Sequence, residues 1–456
     1  AQAQAQPATI PSSSQLVAAM AMLPRAASAA ARRCLLPAAR LPGALAPAVS
    51  AASRASPAAS RGFCAGISFR QPEEHEMIRD LAVRFVDDFL MPLEPVLLER
   101  EASGQSLRLS PEEASSLKVK AKELGLWGLD LPEQFDGVNL PNTALVMIDE
   151  ELGRTIVPFT FPPDSPNLHM MMEACNEEQK ERYMLPYSRG ETVSAIGISE
   201  PGAGADPRMM AMKAVKQGDS WLLNGTKIWI TRGDTMDHII VMAQADPGDG
   251  SSGGITAFFV DTGTPGMTVS RAIKMLGGQL TFEVSFEDCR IPAANLLGTV
   301  GSGFAPMQVR LTRRRLEMAA WSIGIACRAL EMLIQQANQR VVFGSKLADK
   351  QAIQWWVADL ATKIHATRMM ALNCAWKQDQ GMDVKTEASM LKFYATEMAT
   401  DAVDKSMQAW GAMGMTKDMP LHILGSEIRT MRIYDGPSEV HRMVVARSML
   451  KGYWSL

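Results

Sequence analysis

Apolar residues change their spacing twice along this chain, and this order constrains the fold more than any other feature. Ile78, Leu81 and Phe85 lie three or four positions apart, which predicts an amphipathic helix. From about Ala195 the pattern alternates as in strands, and beyond Gly303 the helical spacing returns. Helices followed by strands and then helices argue against a doubly wound dinucleotide-binding fold, in which strands and helices alternate.

Local signals place individual elements. Ser110, followed by Pro111 and Glu113, predicts an N-cap with proline at the first helical position, and a helix that ends near Gly125. Asn224-Gly225 predicts a tight type I′ hairpin turn between two strands. Further helices are expected at Thr143–Gly153 and Asn176–Gly190, and further strands at His238–Ala243, Thr256–Val260, Met267–Ile273 and Leu280–Phe286.

Composition narrows the class of function. With 47% hydrophobic residues, 456 residues are enough for two or three domains with a large core. The formal charge is −3 with both signs dispersed, which argues against a nucleic-acid-binding surface or a polybasic membrane patch. The six cysteines and six histidines show no metal-binding spacing, so we expect no metal. After the first 72 residues no apolar run is long enough for a transmembrane segment.

The first 72 residues contain arginine but no aspartate, glutamate or lysine. This composition is typical of an organelle transit peptide, which we place at residues 1–64, with a processing site near Arg61–Ala65. The predicted location is the mitochondrial matrix. A plastid address and a disordered tail of the same composition remain alternatives.

Several segments spread over residues 73–456 together resemble the FAD-dependent acyl-CoA dehydrogenase family. They are Ile198–Asp206, Lys227–Thr231, Phe286–Pro292, Asn295–Gly298, Gln339–Gly344, Gln408–Gly411 and Tyr434–Gly436. The resemblance implies an α+β multidomain fold with an N-terminal α-helical domain (70–195), a middle β-barrel-like domain (196–302) and a C-terminal four-helix bundle (303–456). It also implies a homodimer or homotetramer.

The resemblance further implies FAD as cofactor. Taken singly, the glycine loop could be an ordinary turn, the Trp-Ile-Thr segment ordinary strand filling, and Arg340 a surface residue at a helix end. In the family, residues equivalent to Gln408, Gly411 and Ala412 come from a neighbouring subunit. The residues expected to bind FAD are Ile198, Ser199, Gly204, Trp229, Ile230, Thr231, Arg340, Phe343, Gln408, Gly411, Ala412, Ser438 and Glu439.

By the same resemblance, Asp435 stands where the family keeps the carboxylate that removes the substrate's α-proton. Most relatives have the longer glutamate there, so the aspartate suggests an unusual acyl chain. Some relatives carry the base on another helix, but Arg314 occupies that position here and cannot act as a base. Glu317 is expected to pair with the neighbouring arginines. Residues expected near the acyl-CoA substrate are Ala205, Arg315, Tyr434 and Gly436, with Arg315 orienting the carboxylate or CoA.

The predicted reaction is α,β-dehydrogenation of an acyl-CoA thioester, with electrons passed to an electron-transfer flavoprotein. Two alternatives remain open. Nitroalkane oxidases share the fold and also use an aspartate, and a catalytically idle flavoprotein could assist the assembly of a respiratory complex.

Overall fold

The computed structural model describes residues 71–163, 166–250 and 252–452, and the chain from Pro72 onward groups into one compact unit. The predicted transit peptide, residues 1–64, lies outside the described residues, as do Cys34 and Cys64. The predicted order of helices, strands and helices is confirmed. None of the described helices is both long and apolar enough to span a bilayer.

The first part of the described chain is helical. The π-helical turn Val86–Leu90 continues the first helix. A second π-helical turn, Lys180–Met184, lies between two short α-helices, so the helix predicted at Asn176–Gly190 consists of three short pieces. The α-helices are α1 (Glu73–Phe85), α2 (Glu94–Ala102), α3 (Pro111–Glu123), α4 (Asn142–Leu152), α5 (Pro166–Ala174), α6 (Glu177–Gln179) and α7 (Leu185–Ser188).

The predicted start of α3 is confirmed in detail. The Ser110 hydroxyl accepts the Glu113 backbone N–H at 3.2 Å, and the Glu113 carboxylate accepts the Ser110 backbone N–H at 2.8 Å. This reciprocal pair satisfies two donors that have no partner inside a helix. Glu113 also receives two hydrogen bonds from Arg100, which ties α3 to the end of α2.

The middle part forms one eight-stranded sheet with the strand order β6-β7-β3-β2-β4-β5-β8, and β1 pairs with β4. Most neighbours are antiparallel, whereas β4 runs parallel to β1 and β2. The strands are β1 (Ser194–Gly197), β2 (Lys213–Gln217), β3 (Ser220–Thr231), β4 (His238–Asp246), β5 (Gly254–Asp261), β6 (Met267–Lys274), β7 (Leu280–Pro292) and β8 (Leu296–Leu297).

The hairpin predicted at Asn224-Gly225 is wrong. Strand β3 runs straight through these two residues, and the register shift between Leu223 and Gly225 shows that they form an irregularity within the strand. Because Gln217 pairs with Ser220, the reversal between β2 and β3 comes earlier, at residues 218–219. A flexible Asn-Gly pair permits a bulge as well as a turn, and pairing with β7 decides between them here.

The last part is again helical. It contains three long helices and two shorter ones. The short strands β9 (Val341–Val342) and β10 (Ser345–Lys346) form a hairpin between the first and the second long helix. The helices are α8 (Phe304–Gln339), α9 (Gln351–Asp379), α10 (Lys385–Trp410), α11 (Leu421–Met431) and α12 (Ser438–Leu450).

Two apolar clusters hold these parts together. One is shared by the first helices and the last helices, and the other lies under the sheet and includes Met170 and Met171, which are fully buried. Helices α4 and α8 approach closely, because a Cβ atom on Gly324 would lie 2.0 Å from the Glu150 carbonyl oxygen. Helix α8 carries Arg310, Arg314 and Arg315 of the candidate site, so this packing helps to fix where these side chains lie.

Candidate active site

A buried ion pair anchors the loop predicted to bind flavin, residues 198–206. Lys227 Nζ lies 2.7 Å from Glu200 Oε1 and donates to the Ile198 carbonyl oxygen at 3.1 Å. The Glu200 carboxylate in turn accepts the backbone N–H groups of Ala211 and Met212. Burial lowers the pKa of Lys227 to about 8, and the hydrogen bond to Glu200 opposes this shift. The loop is therefore held to both β3 and the start of β2.

The loop and strand β3 lie side by side. The Ile228 backbone N–H donates to the Ser199 carbonyl oxygen at 3.0 Å. Next along β3, Trp229 has a positive φ of 66°, and the strand register is irregular just before Ile230. Such an irregularity redirects a side chain. Trp229 is 51% exposed in consequence, whereas the Ile230 side chain is buried in the sheet core.

The surface around this junction fits a flavin. Trp229 and Thr231 are exposed and Ser199 is partly exposed, so an aromatic side chain and two hydroxyl groups are available to a ligand. No atom lies within 4 Å of the position that a Cβ on Gly204 would take, so a ligand can approach the backbone closely. The neighbouring Ala205 is exposed as well.

A second group of predicted FAD-binding residues lies at one end of the last helices. Arg340 follows α8 directly and is exposed, and Phe343, at the tip of the β9–β10 hairpin, is 100% exposed. The exposed residues Gln408, Gly411 and Ala412 mark the end of α10. The end of α10 packs against α8, because the Trp410 indole N–H donates to the Met332 carbonyl oxygen at 3.1 Å.

Ser438 and Glu439, also predicted to bind FAD, begin α12. Ser438 is buried, and Glu439 is exposed. Of these two side chains, that of Glu439 is the one accessible to a ligand.

Asp435 lies in the short connection between α11 and α12, and hydrogen bonds hold the backbone at Asp435 and at the residues on either side of it. Its φ is 53°, a left-handed conformation that costs energy for a residue with a side chain. Buried Lys392 of α10 donates to the carbonyl oxygens of Tyr434, at 3.0 Å, and Gly436, at 2.6 Å. Arg315 Nε donates to the Asp435 carbonyl oxygen at 3.3 Å. Three successive carbonyl groups are thus bound by cationic side chains.

His441 completes this connection. Its Nε2 atom lies 3.3 Å from the Asp435 carbonyl oxygen, and burial lowers the pKa of the imidazole to about 3, so the ring is neutral. A Cβ atom on Gly436 would lie 2.8 Å from His441 Nε2, and Gly436 has a φ of 98°. Glycine is therefore required at this position by space as well as by backbone conformation.

The Asp435 carboxylate faces two arginines of α8. Arg310 Nη1 lies 3.7 Å from Oδ1, and Arg314 Nε lies 3.7 Å from Oδ2. Both separations exceed the length of a charge-assisted hydrogen bond, about 2.7–2.9 Å. The carboxylate is 15% exposed, so it is shielded from water without being hydrogen-bonded by its cationic neighbours. A carboxylate in this state is available to accept a proton.

The predicted pairing of Glu317 is confirmed, since its carboxylate lies 2.8 Å from Arg314 Nη1. The Arg314 guanidinium also stacks over the Trp321 ring at 4.5 Å and lies 6.0 Å from the Tyr434 ring. Arg315, expected to orient the carboxylate or CoA, contacts the Asp435 backbone instead of its carboxylate.

Four contributors to the site were not predicted: Glu200, Lys227, Arg310 and Lys392. Glu200 and Lys227 stand inside the recognised segments, but nothing in the sequence indicated that they pair. Lys392 could have been suspected, because a lysine in an otherwise apolar helix turn needs acceptors if it is buried.

Comparison with known proteins identifies the class to which this fold and site belong. Models of the acyl-CoA dehydrogenase N-terminal, middle and C-terminal domains match residues 72–191, 195–289 and 301–450. The (R)-benzylsuccinyl-CoA dehydrogenase of Thauera aromatica is 36% identical, with 84% of this chain and 97% of the relative covered. The mitochondrial short-chain specific acyl-CoA dehydrogenase of Mus musculus is 33% identical, with coverages of 85% and 93%.

A solved structure described as the electron transferring flavoprotein of Acidaminococcus fermentans contains a similar chain. It is 32% identical, with a TM-score of 0.75, and the match covers 84% of this chain and 100% of that one. The protein therefore belongs to the acyl-CoA dehydrogenase family. It is an FAD-dependent oxidoreductase, as the resemblance implied.

Proposed function

We propose that this protein removes two hydrogens across the α,β-bond of an acyl-CoA thioester to give a 2-enoyl-CoA, with Asp435 as the base. The observation that carries the proposal is the Asp435 carboxylate. It is shielded and left without a tight ion pair. Its position is fixed through the backbone, since Arg315 binds the Asp435 carbonyl group and Lys392 binds those of Tyr434 and Gly436. FAD, when bound, supplies the hydride acceptor.

The chain's own residues divide the remaining work. An α-proton next to a thioester is weakly acidic, so negative charge developing on the carbonyl oxygen needs donors. The Asp435 backbone N–H makes no intramolecular hydrogen bond among the described residues and is available for this purpose. Arg315 and Lys392 hold this peptide in place, and the proton removed from the α-carbon passes to the Asp435 carboxylate.

Site residues on the flavin side position the cofactor in this proposal. Trp229 covers a ring face, Ser199 and Thr231 offer hydroxyl groups to ring edges, and Arg340 pairs with the pyrophosphate. Gln408, Gly411 and Ala412 complete the site of a second subunit, which makes the protein a homodimer or homotetramer. The similarity to a mitochondrial relative and the acid-free leader support a location in the mitochondrial matrix.

We infer that an electron-transfer flavoprotein reoxidises the enzyme. The similarity to a chain in an electron transferring flavoprotein structure supports this partner.

The proposal is tested by anaerobic titration of the purified holoprotein with acyl-CoAs that differ in length and branching. Bleaching of the flavin absorbance by an acyl-CoA, and its recovery on adding electron-transfer flavoprotein, is the expected result. Bleaching by nitroalkanes alone would instead identify an oxidase of that kind. FAD that no substrate reduces would point to an idle accessory protein.

A further inference from the structure

Arg310 is a buried cation without a carboxylate at hydrogen-bonding distance. Its Nε donates at 2.9 Å to the Asn167 side-chain oxygen, and the Asn167 amide donates to the Ser194 hydroxyl at 3.1 Å. The Arg310 side chain is 10% exposed, and its Nη1 atom is buried with no hydrogen-bond partner among the described residues. Hydrogen bonds to neutral side chains thus hold the Arg310 guanidinium group in place and leave its Nη1 atom without an acceptor.

Two other arginines of α8 have a carboxylate at hydrogen-bonding distance. Arg313 also has buried Nε and Nη1 atoms without a hydrogen-bond partner among the described residues, but its Nη2 lies 3.1 Å from Asp149. Arg328 forms two 2.6 Å hydrogen bonds with Glu94. Leaving a buried charge without such a partner costs several kcal/mol in general. The Arg310 Nη1 atom without an acceptor therefore indicates that an anion reaches Arg310 when the site is occupied.

Arg314 stands one helical turn from Arg310, so the two side chains share a face of α8. They approach different oxygens of Asp435, each at 3.7 Å. Neither separation is a hydrogen-bonding distance, so Asp435 does not occupy the free donor of Arg310. Glu427, whose pKa burial raises to about 7, also faces Arg314 and balances part of the charge at neutral pH.

We propose that the acyl group of the substrate carries a second carboxylate, which Arg310 binds with support from Arg314. The inference rests on the proposed dehydrogenation at Asp435. Both guanidinium groups lie within 4 Å of the base, and the base must reach the α-carbon. The second carboxylate therefore stands only two or three carbons from the α-carbon, as in a succinyl-type or glutaryl-type thioester. It remains chemically unchanged in the reaction and serves to select and orient the chain.

The test compares acyl-CoAs in pairs of equal carbon number: succinyl-CoA with butyryl-CoA, and glutaryl-CoA with pentanoyl-CoA. Anaerobic flavin reduction of the holoprotein is followed by stopped flow. In at least one pair, the carboxylated member is expected to show a kcat/KM at least about tenfold higher, since a charge-assisted hydrogen bond contributes on the order of 1.5–3 kcal/mol. Arg310→Gln should lower the ratio of kcat/KM for the carboxylated member to kcat/KM for the neutral member about tenfold, and Arg310→Lys should lower this ratio less.

Arg314→Gln supplies a second variant in case Arg310→Gln does not fold, and Arg189→Gln, at an exposed arginine, serves as the control. Equal reduction by both members of each pair would overturn the inference and leave the proposed dehydrogenation standing. A loss in Arg310→Gln that is the same for charged and neutral chains would also overturn it, because Arg310 would then act on Asp435 alone. If no acyl-CoA reduces the flavin, the proposed function fails first.

Discussion

At the scale of single residues, the candidate base is positioned through its backbone more than through its carboxylate. Lys392 and Arg315 bind the carbonyl groups of residues 434–436, and the strained φ of Asp435 persists because these contacts hold it. The shorter side chain of aspartate depends on this backbone placement, since it has no spare length to correct an error. Sequence alone named Asp435 and Arg315, but it could not reveal Lys392, whose acceptors lie more than forty positions away.

Lys392→Met should slow flavin reduction while leaving substrate binding intact. A shift of about 1 Å in a catalytic group can cost roughly a hundredfold in rate, so we expect kcat to fall between about 10- and 100-fold with KM unchanged. Stopped-flow reduction at several acyl-CoA concentrations separates the two parameters. Lys385→Met, at an exposed lysine of the same helix, is the matched control. A rise in KM at constant kcat would show that Lys392 serves binding instead.

At the scale of elements, periodicity predicted the order of helices and strands. It could not predict features that depend on pairing between distant segments. The strand predictions from residue 238 onward were confirmed, although only β7 alternates clearly between buried and less buried residues. Strands β4 and β5 are almost entirely buried, and their short apolar runs bounded by turn residues carried the prediction. The Asn224-Gly225 turn was wrong because β7 pairs across it. The pairing of Glu200 with Lys227 likewise depends on two segments that only the folded sheet brings together.

Lys227→Met should weaken FAD retention, because it leaves the Glu200 carboxylate buried without its cation. Removing one partner of a buried pair costs about 3–5 kcal/mol, and here the loss falls on the loop expected to contact the flavin. The fraction of FAD kept through gel filtration measures the effect. Lys213→Met, at an exposed lysine on the adjoining strand, should keep its FAD. Equal FAD retention in both variants would show that the ion pair does not contribute to cofactor binding.

The same ion pair predicts a dependence on pH. The folded pKa of Lys227 is lowered to about 8, so the ammonium group is present below that pH and lost above it. The dissociation constant of the wild-type protein for FAD should therefore rise as the pH passes through about 8, approaching that of Lys227→Met. Fluorescence titration across this range, in both proteins, tests the expectation. A rise of the same size in Lys227→Met would assign the titration to another group.

Close packing of α4 against α8 gives a stability prediction. Gly324→Ala places a methyl group 2.0 Å from the Glu150 carbonyl oxygen, so the helices must separate. We expect a loss of about 1–3 kcal/mol in the free energy of unfolding, measured by denaturant titration. Gly425→Ala, in α11, is the control, because its new Cβ would lie 3.4 Å from a Val403 methyl group. Both variants with equal stability would contradict the packing argument.

At the scale of the whole molecule, the candidate site joins distant parts of the chain. Arg310 is 143 positions from Asn167, and Arg315 is 120 positions from Asp435. The order of helical and sheet parts was predictable from periodicity, and the family from its motifs. Neither the periodicity nor the motifs predicted that the arginines of α8 contact the connection between α11 and α12, because buried charges leave no periodic pattern in a sequence.

In the proposed function, the exposed residues Arg340 and Phe343, which follow α8, belong to a cofactor site shared between subunits. Arg340→Ala should raise the dissociation constant for FAD about tenfold, since a charge-assisted contact to phosphate is lost. Its oligomeric state, measured by light scattering, should match that of the wild-type protein. Dilution of the wild-type oligomer into monomers should release FAD. Monomers that keep FAD would show that each site is complete within one chain.

The most direct test of the central claim is anaerobic flavin reduction by the best acyl-CoA in wild-type protein and Asp435→Asn. The variant keeps the size of the side chain but cannot accept the α-proton, and loss of a general base costs about 100- to 10,000-fold. We predict that Asp435→Asn retains its FAD and its melting temperature while flavin reduction slows by that factor. Reduction at the wild-type rate would contradict the assignment of Asp435 as the base.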